Sequence, residues 1–267
     1  MALRVWRPSG PTRGPLVAVH GIGGHSGQYR TLAEALLPAG WAVWAPDLPG
    51  HGLSPGRRGW VRAWGQLGAT VAATLARARA ENPTPPVLLG HSLGGAVCLE
   101  LLLRQPELAS GLSGLVLTNP ALNAAGVAPW RVLVARLLGQ LWPSFSLSTG
   151  IDMATASRDP AVVERLRHDP LRHSRCSTRL GAGFLAAAAT ASERVAELSL
   201  PLLMQQSGAD TVTAPAAAER FFRAAGSADK TWLLYPQSRH ELFDDLDRQQ
   251  ALADLVNWLQ AHAGDGR

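Results

Sequence analysis

The stretch VLLGHSLGGAVCLELLL, residues 87–103, joins two apolar runs of different period through a serine flanked by glycines. Val87, Leu88 and Leu89 follow Pro85 and Pro86, the pattern of a short buried strand bounded by turn residues. Beyond the break, Leu93, Ala96, Val97, Leu101 and Leu102 recur at helical spacing. A strand that turns sharply into a helix forces the corner residue into a strained backbone conformation. It also brings the residues two before and two after so close that only hydrogen fits as a side chain. Gly90 and Gly94 meet that demand around Ser92, the candidate nucleophile. The Leu93 N–H then lies at a helix N-terminus, where partial positive charge favours a developing oxyanion. GLSPG at 52–56 fits the same Gly-x-Ser-x-Gly pattern, but Ser54 has no strand before it and a proline after it, so it reads as a loop serine.

A serine hydroxyl is a poor nucleophile near neutral pH and needs a base, which in turn needs an orienting acid. His240 follows the apolar run KTWLLY in the loop PQSRHELFDD and is the candidate base. Of the other histidines, His20, His51 and His91 lie in glycine-rich turns, His168 and His173 in an insertion described below, and His262 at the tail. Asp210 follows the run LPLLMQ in the turn QSGADTVT and is the candidate acid. Asp244 and Asp245 are too near His240 in sequence to orient it, and Glu241, its neighbour, is expected to point away. The order Ser, Asp, His belongs to one fold. A second oxyanion donor is expected from a loop after an earlier strand, and VAVHGIGGHSGQY (17–29) offers the backbone N–H of Ile22.

Around these motifs, short apolar runs alternate with longer amphipathic ones, the signature of a parallel sheet covered by helices. Strands are predicted at 16–19, 41–46, 87–89, 115–118, 200–205 and 230–235, and helices at about 28–38, 61–81, 93–105, 215–225 and 246–262. From Ala121 to Thr178 no strand is predicted, only helix-like pieces punctuated by Pro129, Pro143, Pro160 and Pro170. A structureless loop of that length is improbable in a compact domain, so residues 121–178 read as a helical cap inserted between core segments 1–120 and 179–267. Within it, Trp130, Leu133, Val134, Leu137, Leu138, Leu141 and Trp142 form one apolar stripe. Two readings stay open: a helix packed on the core, or a lid whose Trp130, Leu133, Leu137 and Leu141 face an acyl channel.

The 267 residues suit one large domain with an elaboration, and 46% hydrophobic with 17% charged residues is ordinary for a globular protein. The net charge of +5 is nearly all arginine, scattered instead of clustered, which argues against a nucleic-acid partner. Cys98 and Cys176 offer no metal-ligand spacing and are expected to be reduced. MALRVWRPSG lacks a signal-peptide core and no run reaches the length of a membrane span, so a cytoplasmic protein is expected.

Together HGIGGHSGQY, APDLPGHGLSPG, GHSLGG, RHDPL, QSGADTVT and SRHE resemble the monoacylglycerol lipase and lysophospholipase branch of the α/β-hydrolase fold, in order from about Val17 to Trp258. The resemblance implies a mostly parallel central sheet flanked by helices, Ser92, Asp210 and His240 as triad, and Ile22 and Leu93 as oxyanion donors. It implies a mobile cap after LVLTNPA over an acyl channel, and no cofactor or metal. Where the family commonly shows HGxGEHS, this chain has Gly24 in place of the acid, and there is room for only one strand before the run at 16–19. The expected activity is hydrolysis of single-chain acyl esters, most directly of monoacylglycerols. Lysophospholipid, carboxylester or thioester hydrolysis, and a dead lipid-binding module, are the alternatives. The expected partner is a lipid ester, with transient lipid-surface contact through the cap, in a monomer or homodimer.

Overall fold

The computed structural model describes residues 1–124 and 127–262. Seven strands make the main sheet: β1 (Leu3–Trp6), β2 (Gly14–Val19), β3 (Trp41–Pro46), β4 (Val87–His91), β5 (Gly114–Thr118), β8 (Leu202–Ser207) and β9 (Lys230–Tyr235). Their spatial order is β1-β3-β2-β4-β5-β8-β9, with only the β1–β3 pair antiparallel. Six of these are the predicted runs, and β1 is the one strand for which the N-terminal stretch has room. β2, β3, β4, β5 and β8 are buried along their whole lengths. Strands covered on both faces read as continuous apolar runs without alternation, which is how they appear in the sequence.

Helices cover both faces. Against one lie α2 (Gly65–Glu81), α3 (Leu93–Arg104), α7 (Thr178–Glu193) and α8 (Pro215–Ala224), whose Leu67, Val71, Val97, Leu101, Leu180 and Phe221 pack onto Val17, Val19, Leu88 and Leu115. Against the other lie α1 (Arg30–Leu36) and α9 (Arg248–His262), whose Leu32, Leu36, Leu252, Leu255 and Trp258 pack onto Leu16, Ala18, Val43, Leu89 and Val116. A short α4 (Pro106–Ala109) follows α3. Boundaries move by a few residues. α2 starts at Gly65 because Gln66 Oε1 takes the N–H groups of Arg62 and Ala63. β8 runs on to Ser207 because β9 stays paired with it there, Ser207 opposite Tyr235.

The segment after β5 holds α5 (Pro129–Leu141), β6 (Ser146–Ser148), α6 (Pro160–His168) and β7 (Arg175–Ser177). The expectation that it is strandless is therefore corrected: β6 and β7 pair antiparallel, Ser146 with Ser177 and Ser148 with Arg175. Strands of three residues, polar at most positions, are too short to leave a period-two pattern. Among the described residues no helix is long and apolar enough to cross a membrane.

Candidate active site

Because the sheet is parallel from β3 to β9, the loops that follow β2, β4, β8 and β9 all emerge at one edge. Those loops carry Ile22, Ser92, Asp210 and His240. In open parallel sheets this edge is where ligands bind.

Ser92 stands between β4 and α3 with φ 53° and ψ −122°, a conformation L-residues rarely hold. The corner is compressed: a Cβ on Gly90 would sit 2.7 Å from Gly95 Cα, and one on Gly94 only 2.1 Å from the Val19 carbonyl oxygen. Both glycines are thus required by packing. Ser54, by contrast, donates to Asp47 O at 2.6 Å and accepts from Ala2 N at 2.9 Å, the bonds of a loop-fixing serine.

His240 Nε2 lies 3.0 Å from Ser92 Oγ, and Nδ1 lies 2.8 Å from Asp210 Oδ2. A carboxylate only accepts, so Nδ1 carries the proton and donates to Asp210, leaving Nε2 with the lone pair that can take the serine proton. Asp210 is fully occupied, accepting also from Val212 N (2.7 Å), Thr213 N (3.1 Å) and Thr213 Oγ1 (2.5 Å). Burial alone would raise the Asp210 pKa, but His240 and Thr213 outweigh it and hold the group below its ordinary value. Burial alone would lower the pKa of His240, but Asp210 reverses this and the net displacement is upward. The three side chains are brought together as the sequence predicts.

Leu93 is the first residue of α3, so its N–H belongs to the helix-start groups that lack an intrahelical acceptor. On the loop after β2, Gly21 O accepts from His20 Nδ1 at 2.8 Å and from Gly24 N at 3.2 Å. In a trans peptide the carbonyl and the following N–H point opposite ways, so fixing Gly21 O fixes the direction of the Ile22 N–H. His20 Nε2 accepts from Leu48 N at 3.1 Å, which sets its tautomer. Burial pushes its pKa down to about 4, keeping it neutral. Ile22, Ser92 and Leu93 line one cavity together.

That cavity has a volume of about 340 Å³ and is walled mainly by apolar groups, among them Val132, Val134, Leu147, Phe184, Leu185 and Val212. Its size falls in the range usual for ligand pockets, about 300–1,000 Å³. Neither of the two readings left open for the stripe, packed on the core or facing an acyl channel, fits Trp130, Leu133, Leu137 and Leu141. Trp130, Leu133, Leu137 and Leu141 are 53%, 57%, 58% and 82% exposed and point outward, whereas Val132, Val134 and Ala135 of the same helix meet the cavity. α5 is apolar on two sides, and spacing alone does not tell which side faces in. A second, much smaller recess of about 20 Å³ adjoins Ser92 and His240 and includes polar groups of Gln28, His91, Arg172 and Glu241.

Glu241 is not bonded to the His240 ring, in keeping with the expectation that it points away from the base, but its carboxylate has partners of its own. It is buried, with Oε1 3.2 Å from Arg172 Nη2 and Oε2 3.4 Å from His91 Nε2. Asn119, directly after β5, was not singled out in the sequence, yet its Nδ2 donates to the His240 carbonyl at 2.7 Å and to Ser207 Oγ at 2.9 Å. Its φ of 44° marks a forced turn, a constraint invisible in TNPA. Among the described residues no group of three or more His, Cys, Asp or Glu is arranged to hold a metal ion.

Residues 10–247 match the family model Hydrolase_4, described as serine aminopeptidase, S33. The monoacylglycerol lipase of Mycolicibacterium smegmatis is 31% identical over 261 residues, covering 97% of this chain and 92% of the relative. The phospholipase YtpA of Bacillus subtilis is 28% identical over 246 residues, covering 91% and 93%. Among solved structures, the monoacylglycerol lipase of Paleococcus ferrophilus superposes with a TM-score of 0.88 at 34% identity, covering 98% of this chain and all (100%) of that one. A soluble variant of the monoglyceride lipase of Saccharomyces cerevisiae, in complex with a substrate analogue, superposes with a TM-score of 0.86 at 26% identity, covering 97% and 91%.

Proposed function

Since this chain belongs to the Hydrolase_4 family, serine aminopeptidase S33, we propose that it is a serine hydrolase cleaving monoacylglycerol esters through an acyl-enzyme on Ser92. The observation that carries this reading is the apolar cavity opening on a serine that is already hydrogen-bonded to a histidine and, through it, to an aspartate. The acyl chain lies in the cavity and the glycerol side faces the small polar recess on the other side of Ser92.

His240 Nε2 takes the Ser92 proton as Oγ attacks the ester carbonyl. The tetrahedral oxyanion accepts hydrogen bonds from the Ile22 and Leu93 N–H groups. Collapse breaks the ester C–O bond, and His240 hands its proton to the departing glycerol oxygen. Water, deprotonated by the same imidazole, then attacks the acyl-enzyme and frees the fatty acid. Asp210 keeps the imidazole in the productive tautomer throughout.

Residues 121–178 act as the cap over the cavity. The outward apolar face of α5, with Trp130, Leu133, Leu137 and Leu141, meets the lipid surface from which substrate is drawn. Lysophospholipid hydrolysis is the second reading, favoured by the phospholipase among the relatives. The deciding experiment compares rates on a mono-, di- and triacylglycerol and a lysophosphatidylcholine of equal chain length, with Ser92→Ala as blank. A preference for the monoacylglycerol is expected, and the blank should lose at least about a thousandfold in turnover while folding normally. Equal rates for Ser92→Ala and the parent would remove the mechanism. A parent protein that fails to react with a fluorophosphonate would instead mark a non-catalytic lipid-binding module.

A further inference from the structure

A second carboxylate stands beside the candidate base, and nothing in the Ser92, His240 and Asp210 arrangement requires it. Glu241 follows His240 directly and is 8% exposed. Its backbone N–H donates to Ala156 O at 2.8 Å, and its carboxylate is shared between Arg172 and His91. Arg172 is held in turn: Nη1 donates to Gln28 Oε1 at 3.5 Å, and its neighbours are bonded to the loop after β2. There His25 Nε2 lies 2.7 Å from Asp169 Oδ2, and His173 N donates to Gly23 O at 3.1 Å. The segment 169–173 thus spans from the oxyanion loop to the loop of the base, and the Arg172–Glu241 pair is its contact with the latter.

Burying two charges to hold two loops together is poor economy for stability, since well-packed apolar groups do the same at lower cost. A buried ion pair placed at a reacting group therefore invites a role in the reaction. We propose that Glu241 and Arg172 are positioning residues: their ion pair locks segment 169–173 against the loop of the base and sets one charge of each sign beside the His240 imidazole. The inference rests on the reading of His240 as general base.

The imidazole becomes imidazolium as Ser92 gives up its proton, so nearby charges act on the step directly. The groups that face it are Asp210 from the β8 loop, Ser92 from the corner, and His91 from the end of β4, its ring 4.9 Å away. Glu241 comes from its own loop and Arg172 from the insertion. His91 is kept neutral, burial pushing it down to about 4, so it adds little charge. Burial would push the Glu241 carboxylate up, but its neighbours outweigh this and the net displacement is downward; with His91 neutral, the pull comes from the charge and hydrogen bond of Arg172, and Glu241 stays ionised. Glu241 favours the protonated form of His240 and Arg172 disfavours it. The pair holds the base between these two pulls, and loss of either partner tips it in a known direction.

The test is the pH profile of kcat/KM for p-nitrophenyl butyrate from pH 5 to 9, which reports the free enzyme's base and needs no lipid surface. Relative to the parent, Glu241→Gln should move the acid limb down by about half a unit to one unit, the size expected of a charge several ångström away in a half-screened site. Arg172→Gln should move it up by a similar amount, and Glu241→Asp should restore the parental midpoint. Variants that slow the reaction equally at every pH, or that move the limb in the same direction, overturn the proposal and leave a merely structural pair. If Glu241→Gln does not fold, Arg172→Gln alone decides by the sign of its shift. A parent enzyme that neither hydrolyses the ester nor reacts with a fluorophosphonate refutes the functional reading itself, an outcome distinct from an unmoved limb.

Discussion

At the residue scale, the division of labour around His240 makes its pH behaviour predictable in sign. Its folded pKa lies above the ordinary 6.5, so the neutral base is lost from a point above that value as pH falls. The acid limb of kcat/KM should therefore lie above about 6.5, and a limb well below it would contradict the assignment. Asp210→Asn should remove the upward pull and the tautomer lock together. Its kcat should fall by about ten-thousandfold, the size found for the same change in a serine protease, while ground-state binding of a long-chain substrate changes little. Ser92, Asp210 and His240 were legible because each follows a strand-like run, which fixes position without any knowledge of the loops. Glu241, Arg172 and Asn119 were not. Their partners lie far apart in sequence, 69 residues for Arg172 with Glu241 and 121 for Asn119 with His240, and no local pattern encodes such pairs.

Elements were readable in proportion to how far burial imposed a period on them. β2 through β5, covered on both faces, were found within two residues of their ends, and α3, buried on all sides from Leu93 to Leu103, was unmistakable. α5 shows the opposite case: its apolar residues divide between the cavity and the outer surface, and a single stripe cannot be assigned to either. The two faces can be separated by substitution. Val134→Trp fills the inner face and should lower the rate on a long-chain ester relative to a butyrate by about tenfold or more, since overfilling a packed site costs on the order of 1–3 kcal/mol. Leu137→Ser alters only the outer face. It should lower the rate on substrate held in vesicles relative to the rate on a soluble ester, with the chain-length preference unchanged. If instead Leu137→Ser shifts that preference and Val134→Trp does not, the assignment of the faces is reversed.

For the whole molecule, the neutral histidines and the ionised Glu241 make stability fall with falling pH, opposed only by His240, whose raised pKa gains stability as pH falls toward 6.5 and changes nothing below it. His20 and His91 are each pushed down to about 4 by burial, whereas an unfolded chain protonates them near 6.5. Between those limits the unfolded state binds more protons, so stability falls with falling pH by up to about 1.4 kcal/mol per pH unit for each group. Glu241, held at about 2 against an ordinary 4.5, contributes stability that is complete above the higher value and is lost as pH falls through the lower. Urea midpoints should thus decline steadily from pH 7 to pH 4 and below, and a midpoint constant over that range would refute the neutrality of these histidines. The bonds that tie the insertion to the core are distributed unevenly along it. From Ala156 onward it is bonded to the core repeatedly: Arg158 to Asp245 and Asp247, Arg165 to Asp244, Asp169 to His25, and Ser177 N to Gly59 O. α5, by contrast, rests chiefly on α7, joined to it through Thr178 Oγ1 and the Trp142 carbonyl at 2.7 Å. Exchange of the α5 arm should therefore leave the urea midpoint nearly unchanged, whereas exchange of the stretch from Ala156 to Ser177 should lower it, because only the latter is braced directly against the loops of the sheet.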